Sequence, residues 1–116
     1  VEGNIQVTAI YCSIDCGRMV NPDTVRAQME GAMVFGLSLA LHGKITLDKG
    51  VVRQSGFHDY PLLRMAEMPK IRVHLIESEA HPAGVGEPGV PPVAPSLANA
   101  VFAATGKRLR ELPLRL

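Results

Sequence analysis

An excess of charge of either sign is missing from this 116-residue chain: 12 basic residues are set against 11 acidic ones, for a net charge of +1. That balance leaves no electrostatic footprint for nucleic acid or for an anionic membrane. Apolar runs are short as well. None approaches the roughly 18 residues needed to cross a bilayer, and no signal-peptide pattern stands at the start. Cysteine is scarce: Cys12 and Cys16 are the two present, and on a strand four residues cover about 13 Å, well beyond disulfide reach. The histidines His42, His58, His74 and His81 are scattered without ligand spacing. No metal site built from side chains is therefore expected, and both cysteines read as small core residues. Nothing in this usage points to an oxidising compartment, and localisation stays open.

What is present is one domain's worth of chain, near the lower end for a self-sufficient core. It opens on Val1 as "VEGNIQVTAIY", without Met and already alternating like a strand, as a piece of a longer polypeptide would. Residues 5–14, "IQVTAIYCSI", are β-branched and aromatic enough for a strand. After the turn "DCGRMVNPD", Asn21 can cap a helix that has Pro22 first and Asp23 in its first turn. The apolar steps Val25, Met29, Ala32, Met33 and Gly36 predict one buried face, and the helix should run to about Leu41 and stop before Gly43. Gly31 and Gly36 each cost this helix about 1 kcal/mol against alanine. Close approach of another backbone, or of a ligand, would offset that. Lys44–Leu47 and Val51–Phe57 read as a hairpin around Asp48, Lys49 and Gly50, and "HDYPLLRMAEMPK" as a loop with a short helical turn. "IRVHLIES" alternates like a half-buried strand, and Ala94–Thr105 forms a second helix closed by Gly106. The last residues, "LRELPLRL", are a candidate short strand. The order β-α-β-β-β-α predicts an α+β domain, a mixed β-sheet with two helices packed on one face.

One stretch stands apart. "HPAGVGEPGVPP", residues 81–92, holds a single carboxylate, Glu87, among glycines, prolines and small apolar residues. Gly84, Gly86 and Gly89 let a backbone come close to a ligand, while Pro88 and Pro91 stiffen the loop. A glutamate held this way is either a general base, if it is desolvated and within reach of its proton donor, or a solvated carboxylate near a helix amino terminus. A phosphate cradle does not fit, because no "GK[ST]" follows and the carboxylate would repel an anion. Gln28, on or beside the apolar face of the first helix, either satisfies a backbone group or hydrogen-bonds a polar ligand. His58 and Asp59 are adjacent, and on a strand such neighbours point to opposite faces, which argues against a working dyad.

Three stretches, "IDCGRMVNPDTVRAQMEGAMVFGLSLAL", "FHDYPLLRM" and "GVGEPGVPPVAPSLANAVFAATGKRLRELPL", taken in order, cover most of the chain. Together they resemble the carboxyl-terminal part of the large, molybdopterin-binding subunit of molybdenum hydroxylases, the xanthine dehydrogenase and aldehyde oxidase family. Within it the likeness runs to the isoquinoline 1-oxidoreductase beta-subunit branch. The specific element is "GVGEP" combined with "NP…Q-x-EG…G" upstream. The resemblance implies an oxidoreductase that hydroxylates an aromatic N-heterocycle or oxidises an aldehyde with water as the oxygen source. It implies a molybdopterin cofactor in its cytosine dinucleotide form, and iron–sulfur (2Fe–2S) clusters on a small partner subunit. It makes Glu87 the active-site base, and sets Gln28, Gly84, Val85 and Gly86 against the cofactor, with Gly31 and Gly36 letting the helix pack beside it. Gly89 and Val90 follow "GEP" where many xanthine- and aldehyde-oxidising members have a second proline, which favours the isoquinoline-type branch.

On that resemblance, residues 1–116 are one domain, a carboxyl-terminal fragment whose partners are the rest of the large subunit and the small iron–sulfur subunit. The remaining cofactor loops lie outside it. The isolated chain is therefore expected to hold no cofactor, to be inactive, and to self-associate through whatever apolar face it exposes. The alternative is a free-standing, non-catalytic α+β module that binds a ligand or a protein; the reading frame upstream of Val1 separates the two.

Overall fold

The computed structural model of the protein describes residues 4–116; the first three positions of the expected alternation lie outside them. The elements follow in the expected order: β1 (Ala9–Ile14), α1 (Pro22–Leu41), β2 (Leu47–Asp48), β3 (Val51–Val52), β4 (Lys70–Leu75) and α2 (Val93–Thr105). A single 3₁₀ turn at Met65–Glu67 interrupts the long loop before β4.

The limits of α1 are set locally. Asn21 Oδ1 accepts a hydrogen bond from Thr24 N–H at 3.1 Å, Pro22 occupies the first turn and Asp23 follows it, so three independent start preferences coincide. At the other end the His42 and Gly43 N–H groups bond back to Ser38 O at 2.9 and 3.2 Å. The buried stripe is Val25, Met29, Ala32, Met33, Gly36, Leu37 and Ala40, the face that the spacing predicts. Arg26, on the exposed side, still reaches back to Val73 O at 2.6 Å and ties α1 to β4.

β1 and β4 run parallel, in register from Ala9 opposite Lys70 to Ile14 opposite Leu75, with α1 in the crossover between them. Ile10, Cys12 and Ile71 pack on the cluster of Met33, Leu37 and Val93 that joins the two helices. Tyr11, Ser13, Arg72 and His74 face solvent. β2 and β3 form a separate antiparallel pair, so both pairing senses of the expected mixed sheet are present, in two ribbons. Lys49 (φ 50°) and Gly50 (φ 81°) are both left-handed, the tight hairpin turn that suits strand twist. The ribbon is shorter than the sequence suggests because side chains take over the backbone groups. Gln54 Oε1 accepts Thr46 N–H at 2.7 Å and Asp59 accepts the N–H groups of Ser55 and Gly56, the local competition to which polar side chains are prone.

α2 begins one residue before the expected start and closes at Gly106 (φ 73°), whose N–H meets Phe102 O at 2.8 Å. Gly36 is what lets the helices meet: a Cβ there would lie 2.7 Å from Val93 Cγ2 and 3.0 Å from Val90 O. The tail forms no strand. Leu114 instead donates its N–H to Ala40 O at 2.8 Å and is 3% exposed, which docks the tail on the end of α1. The chain extends over 49 × 36 × 25 Å with a radius of gyration of 16.3 Å, against about 13 Å for a compact domain of this length.

Candidate functional site

The loop that carries Glu87 is tied down at both ends. At its start Asp15 Oδ1 accepts Gly17 N–H at 3.0 Å, and Gly17 adopts φ +73°. A Cβ on Gly17 would collide with the carbonyls of Ala80 and His81. Glycine is therefore required twice over, for its φ and for the close approach. Arg18 N–H then reaches Ala80 O at 3.0 Å, Ala83 N–H reaches Cys16 O at 2.8 Å, and Arg18 pairs with Glu79. At its end Val90 N–H donates to Glu87 O at 2.9 Å. Glu87-Pro88-Gly89-Val90 is thus a hydrogen-bonded turn with Pro88 in the second position that favours it. Gly89 is buried on α1, where a Cβ would sit 2.7 Å from the Ala32 Cβ.

Between these anchors residues 84–86 are free. No hydrogen bond among the described residues engages the N–H groups of Gly84, Val85 or Gly86, and a Cβ on Gly84 or Gly86 would meet nothing within 4 Å. Beside them α1 presents Gln28, Gly31, Ala32 and Phe35, the three-, four- and seven-residue steps of one helical stripe. With Gly86, Glu87 and Val90 they line an open concavity of about 320 Å³. Gly31 differs from Gly36 here: a Cβ on it would meet nothing within 4 Å, so among the described residues no backbone crosses at Gly31 and its bare face opens on the concavity. Within the described residues the Gln28 amide and the Glu87 carboxylate have neither hydrogen-bond nor ion-pair partners.

The structure therefore brings Gln28, Gly86 and Glu87 together. Gly84, exposed, and Val85, half-buried, lie on the same loop just ahead of the concavity without lining it. Sequence reasoning missed Phe35 and Gly17 as parts of this arrangement, and it assigned Gly89 to ligand approach where the residue instead packs on Ala32 of α1. Phe35 was within reach, being seven residues beyond Gln28; the roles of Gly17 and Gly89 depend on contacts with distant segments. A larger hollow of about 400 Å³ lies beside His42 and Glu67, and no residue of the loop reaches it.

The other candidates are structural. His58 Nε2 is 3.5 Å from Asp59 Oδ2, because these residues lie in a turn and not on a strand. The Asp59 carboxylate caps that turn, and the N–H groups of Gly56 and Ser55 hold its pKa below the usual aspartate value. Cys12 and Cys16 are free thiols, and burial pushes the pKa of Cys12 up, which disfavours its thiolate form. Among the described residues no cluster of three or more His, Cys, Asp or Glu side chains could hold a metal ion.

The same α+β fold is found within a larger chain of known structure. Quinoline 2-oxidoreductase from Pseudomonas putida 86 superposes with a TM-score of 0.80 over 93% of this chain and 15% of that one, at 24% identity. The chain belongs to the molybdopterin cofactor-binding domain family, whose model matches residues 1–69, a span that includes Gln28 and ends before the Glu87 loop. It is 44% identical, over 98% of its length, to the isoquinoline 1-oxidoreductase subunit beta of Brevundimonas diminuta, and covers 15% of that protein. It is 33% identical over 98% of its length to the aldehyde oxidoreductase molybdenum-binding subunit of Escherichia coli, covering 17% of it. The chain thus spans about a sixth of the length of these relatives.

The residues fit such a cofactor. A heteroatom-rich ring system needs bare backbone to lie against and unpaired hydrogen-bonding groups to meet. Gly31, Gly84 and Gly86 offer open faces, the loop N–H groups offer free donors, and the Gln28 amide offers both a donor and an acceptor.

Proposed function

We propose that this chain is the carboxyl-terminal domain of a molybdenum hydroxylase large subunit and supplies one wall of its cofactor and substrate pocket. In this reading Gln28, Gly84, Val85 and Gly86 hold the molybdopterin, in its cytosine dinucleotide form, and Glu87 is the active-site base. The substrate is an aromatic N-heterocycle or an aldehyde, and the electrons leave through iron–sulfur (2Fe–2S) clusters on a small partner subunit. The observation that carries the reading is the single concavity in which an unpaired carboxylate from a stiff loop meets an unpaired amide and a bare glycine from α1.

When bound, the cofactor supplies the metal that activates the water-derived oxygen and accepts the electrons. The chain's own share is positioning and proton transfer. The Pro88–Gly89 turn fixes where Glu87 leaves the backbone, and the Gly17 anchor fixes where the loop begins. The carboxylate removes the proton from the oxygen that attacks the substrate carbon. It works as a base once the rest of the pocket excludes water around it, since proximity and desolvation set such a group's strength. Gln28 would hydrogen-bond the cofactor through its amide, and Phe35 adds an apolar wall to the concavity.

Glu87→Gln in the complete subunit, expressed with its small partner, keeps size and hydrogen bonding but removes basicity. Turnover of heterocycles and aldehydes should fall by about 10²–10⁴-fold while molybdenum content stays at the wild-type level. Unchanged turnover ends the assignment of the base. The isolated chain, carrying one wall, should hold no molybdenum and be inactive, and stoichiometric metal in it would contradict the fragment reading.

A further inference from the structure

We propose that β1 is an interior strand in the complete subunit. Its free side takes a further strand, supplied by the remainder of the large subunit, that runs beneath α2 with apolar side chains in the groove between α2 and β1. The proposal rests on the reading of the chain as part of such a subunit.

A parallel ladder uses every second residue of each strand. Lys70 N–H donates to Thr8 O at 3.0 Å and Ile76 N–H to Ile14 O at 2.9 Å. With the register of the pair, Ile10 and Cys12 turn their backbone groups to β4. The N–H and C=O groups of Ala9, Tyr11 and Ser13 point to the other side, where no partner exists among the described residues. The opposite edge is treated differently: Arg26 Nη1 occupies Val73 O at 2.6 Å and closes β4 at its centre.

Next to the open edge lies a groove of about 360 Å³ between Ala9, Tyr11 and Ser13 of β1 and Pro92, Ser96 and Ala100 of α2. Among the described residues its lining contains no charged side chain. α2 packs against α1, so its underside lies over the groove, where a helix on a parallel sheet ordinarily finds a strand. Three edge residues in a row call for an extended occupant about 4.8 Å away, and the uncharged walls call for apolar residues on its inner side. A two-stranded ribbon is marginal by itself, so a third strand supplies what the pair lacks. The relatives provide the polypeptide for it, since this chain covers 15% of the isoquinoline enzyme's subunit.

The test is amide hydrogen exchange at single-residue resolution in the complete subunit. Tyr11 and Ser13 should be protected like Ile10 and Cys12, which β4 already covers. Ser96→Lys, which puts an ammonium into the groove, should speed exchange at Tyr11 and Ser13 by about tenfold or more and leave Ile10 and Cys12 unchanged. Fast exchange at Tyr11 and Ser13 in the unmodified subunit overturns the proposal, as does a Ser96→Lys variant that changes nothing. Protection lost on dilution would assign the edge to a second copy and overturn it as well. If no longer subunit carries this chain, it is the underlying reading that fails; if the subunit exists and the edge exchanges freely, only the strand fails.

Discussion

Two glycines five residues apart on one helix do opposite work. Gly36 lies under Val93, where a Cβ would be 2.7 Å from Cγ2 and 2.9 Å from Cβ of that side chain. Gly31 faces the open concavity with Gln28 and Glu87. The sequence presents both simply as helix glycines that need a compensating gain; only the three-dimensional neighbours assign the gain to helix contact in one case and to open space in the other. Gly31→Ala should therefore stabilise the chain by up to about 1 kcal/mol, the propensity difference. Gly36→Ala should destabilise it by roughly 1–2 kcal/mol, because overpacking against Val93 outweighs the same gain. Urea unfolding of the two variants checks the signs, and equal shifts in either direction would contradict the distinction. If the proposed cofactor lies against Gly31, the stabilising substitution lowers molybdenum content in the complete enzyme, so stability and loading move apart.

The elements that were legible are those whose limits are written locally. α1 is readable at its start because Asn21, Pro22 and Asp23 act within one turn and at its end because Gly43 follows it, and the end of α2 because Gly106 closes it in a left-handed conformation. The hairpin turn was readable from Lys49-Gly50, but the length of its strands was not, since Gln54 and Asp59 divert the N–H groups that would have extended them. The candidate strand in the tail does not form, because what holds the tail is the Ala40 carbonyl at the far end of α1. In the candidate site, Glu87 and Gln28 were readable as residues, and their meeting in one concavity was not, because Gly17 and Gly89 bring the loop to the helix through distant contacts. The Asp59 turn yields a prediction about pH. Its carboxyl titrates below the usual aspartate value because the Gly56 and then the Ser55 N–H groups favour the ionised form. A depressed folded pKa contributes stability that is present above the ordinary value of about 3.9 and is lost as pH falls through the lower, folded one. Amides of Ser55 and Gly56 should therefore exchange faster, relative to the intrinsic rate, on acidification through that window. Asp59→Asn should abolish the pH dependence, and an unchanged profile in the variant would remove Asp59 as its source.

At the scale of the whole molecule, the surface is larger than a compact monomer of this mass presents, and it carries large apolar side chains. A folded monomer of 12.5 kDa exposes roughly 6,200 Å², whereas this chain exposes 8342 Å². The excess, roughly 2,000 Å², is the size of a substantial subunit interface. Its chemistry agrees: Tyr11, Val20, Phe57 and Met65 are each more than three-quarters exposed, at 76, 96, 76 and 86%, and β1 offers an unpaired edge. Such residues dispersed singly need no explanation, but here they accompany a two-stranded parallel ribbon bare on one face, which parallel sheets do not leave uncovered. Produced alone, the chain should bury this surface against copies of itself. Sedimentation velocity should show mass rising with concentration, and a dye that binds exposed apolar surface should be displaced as it does. Replacing Phe57 and Met65 with serine should weaken the association without changing helix content, since neither side chain supports the core. On the proposed reading the rest of the large subunit covers the same surface, so the double variant there should lower the yield of assembled enzyme. A chain that stays monomeric at all concentrations and binds no dye would mean that the extended surface is stable in water, and the free-standing module would regain its ground.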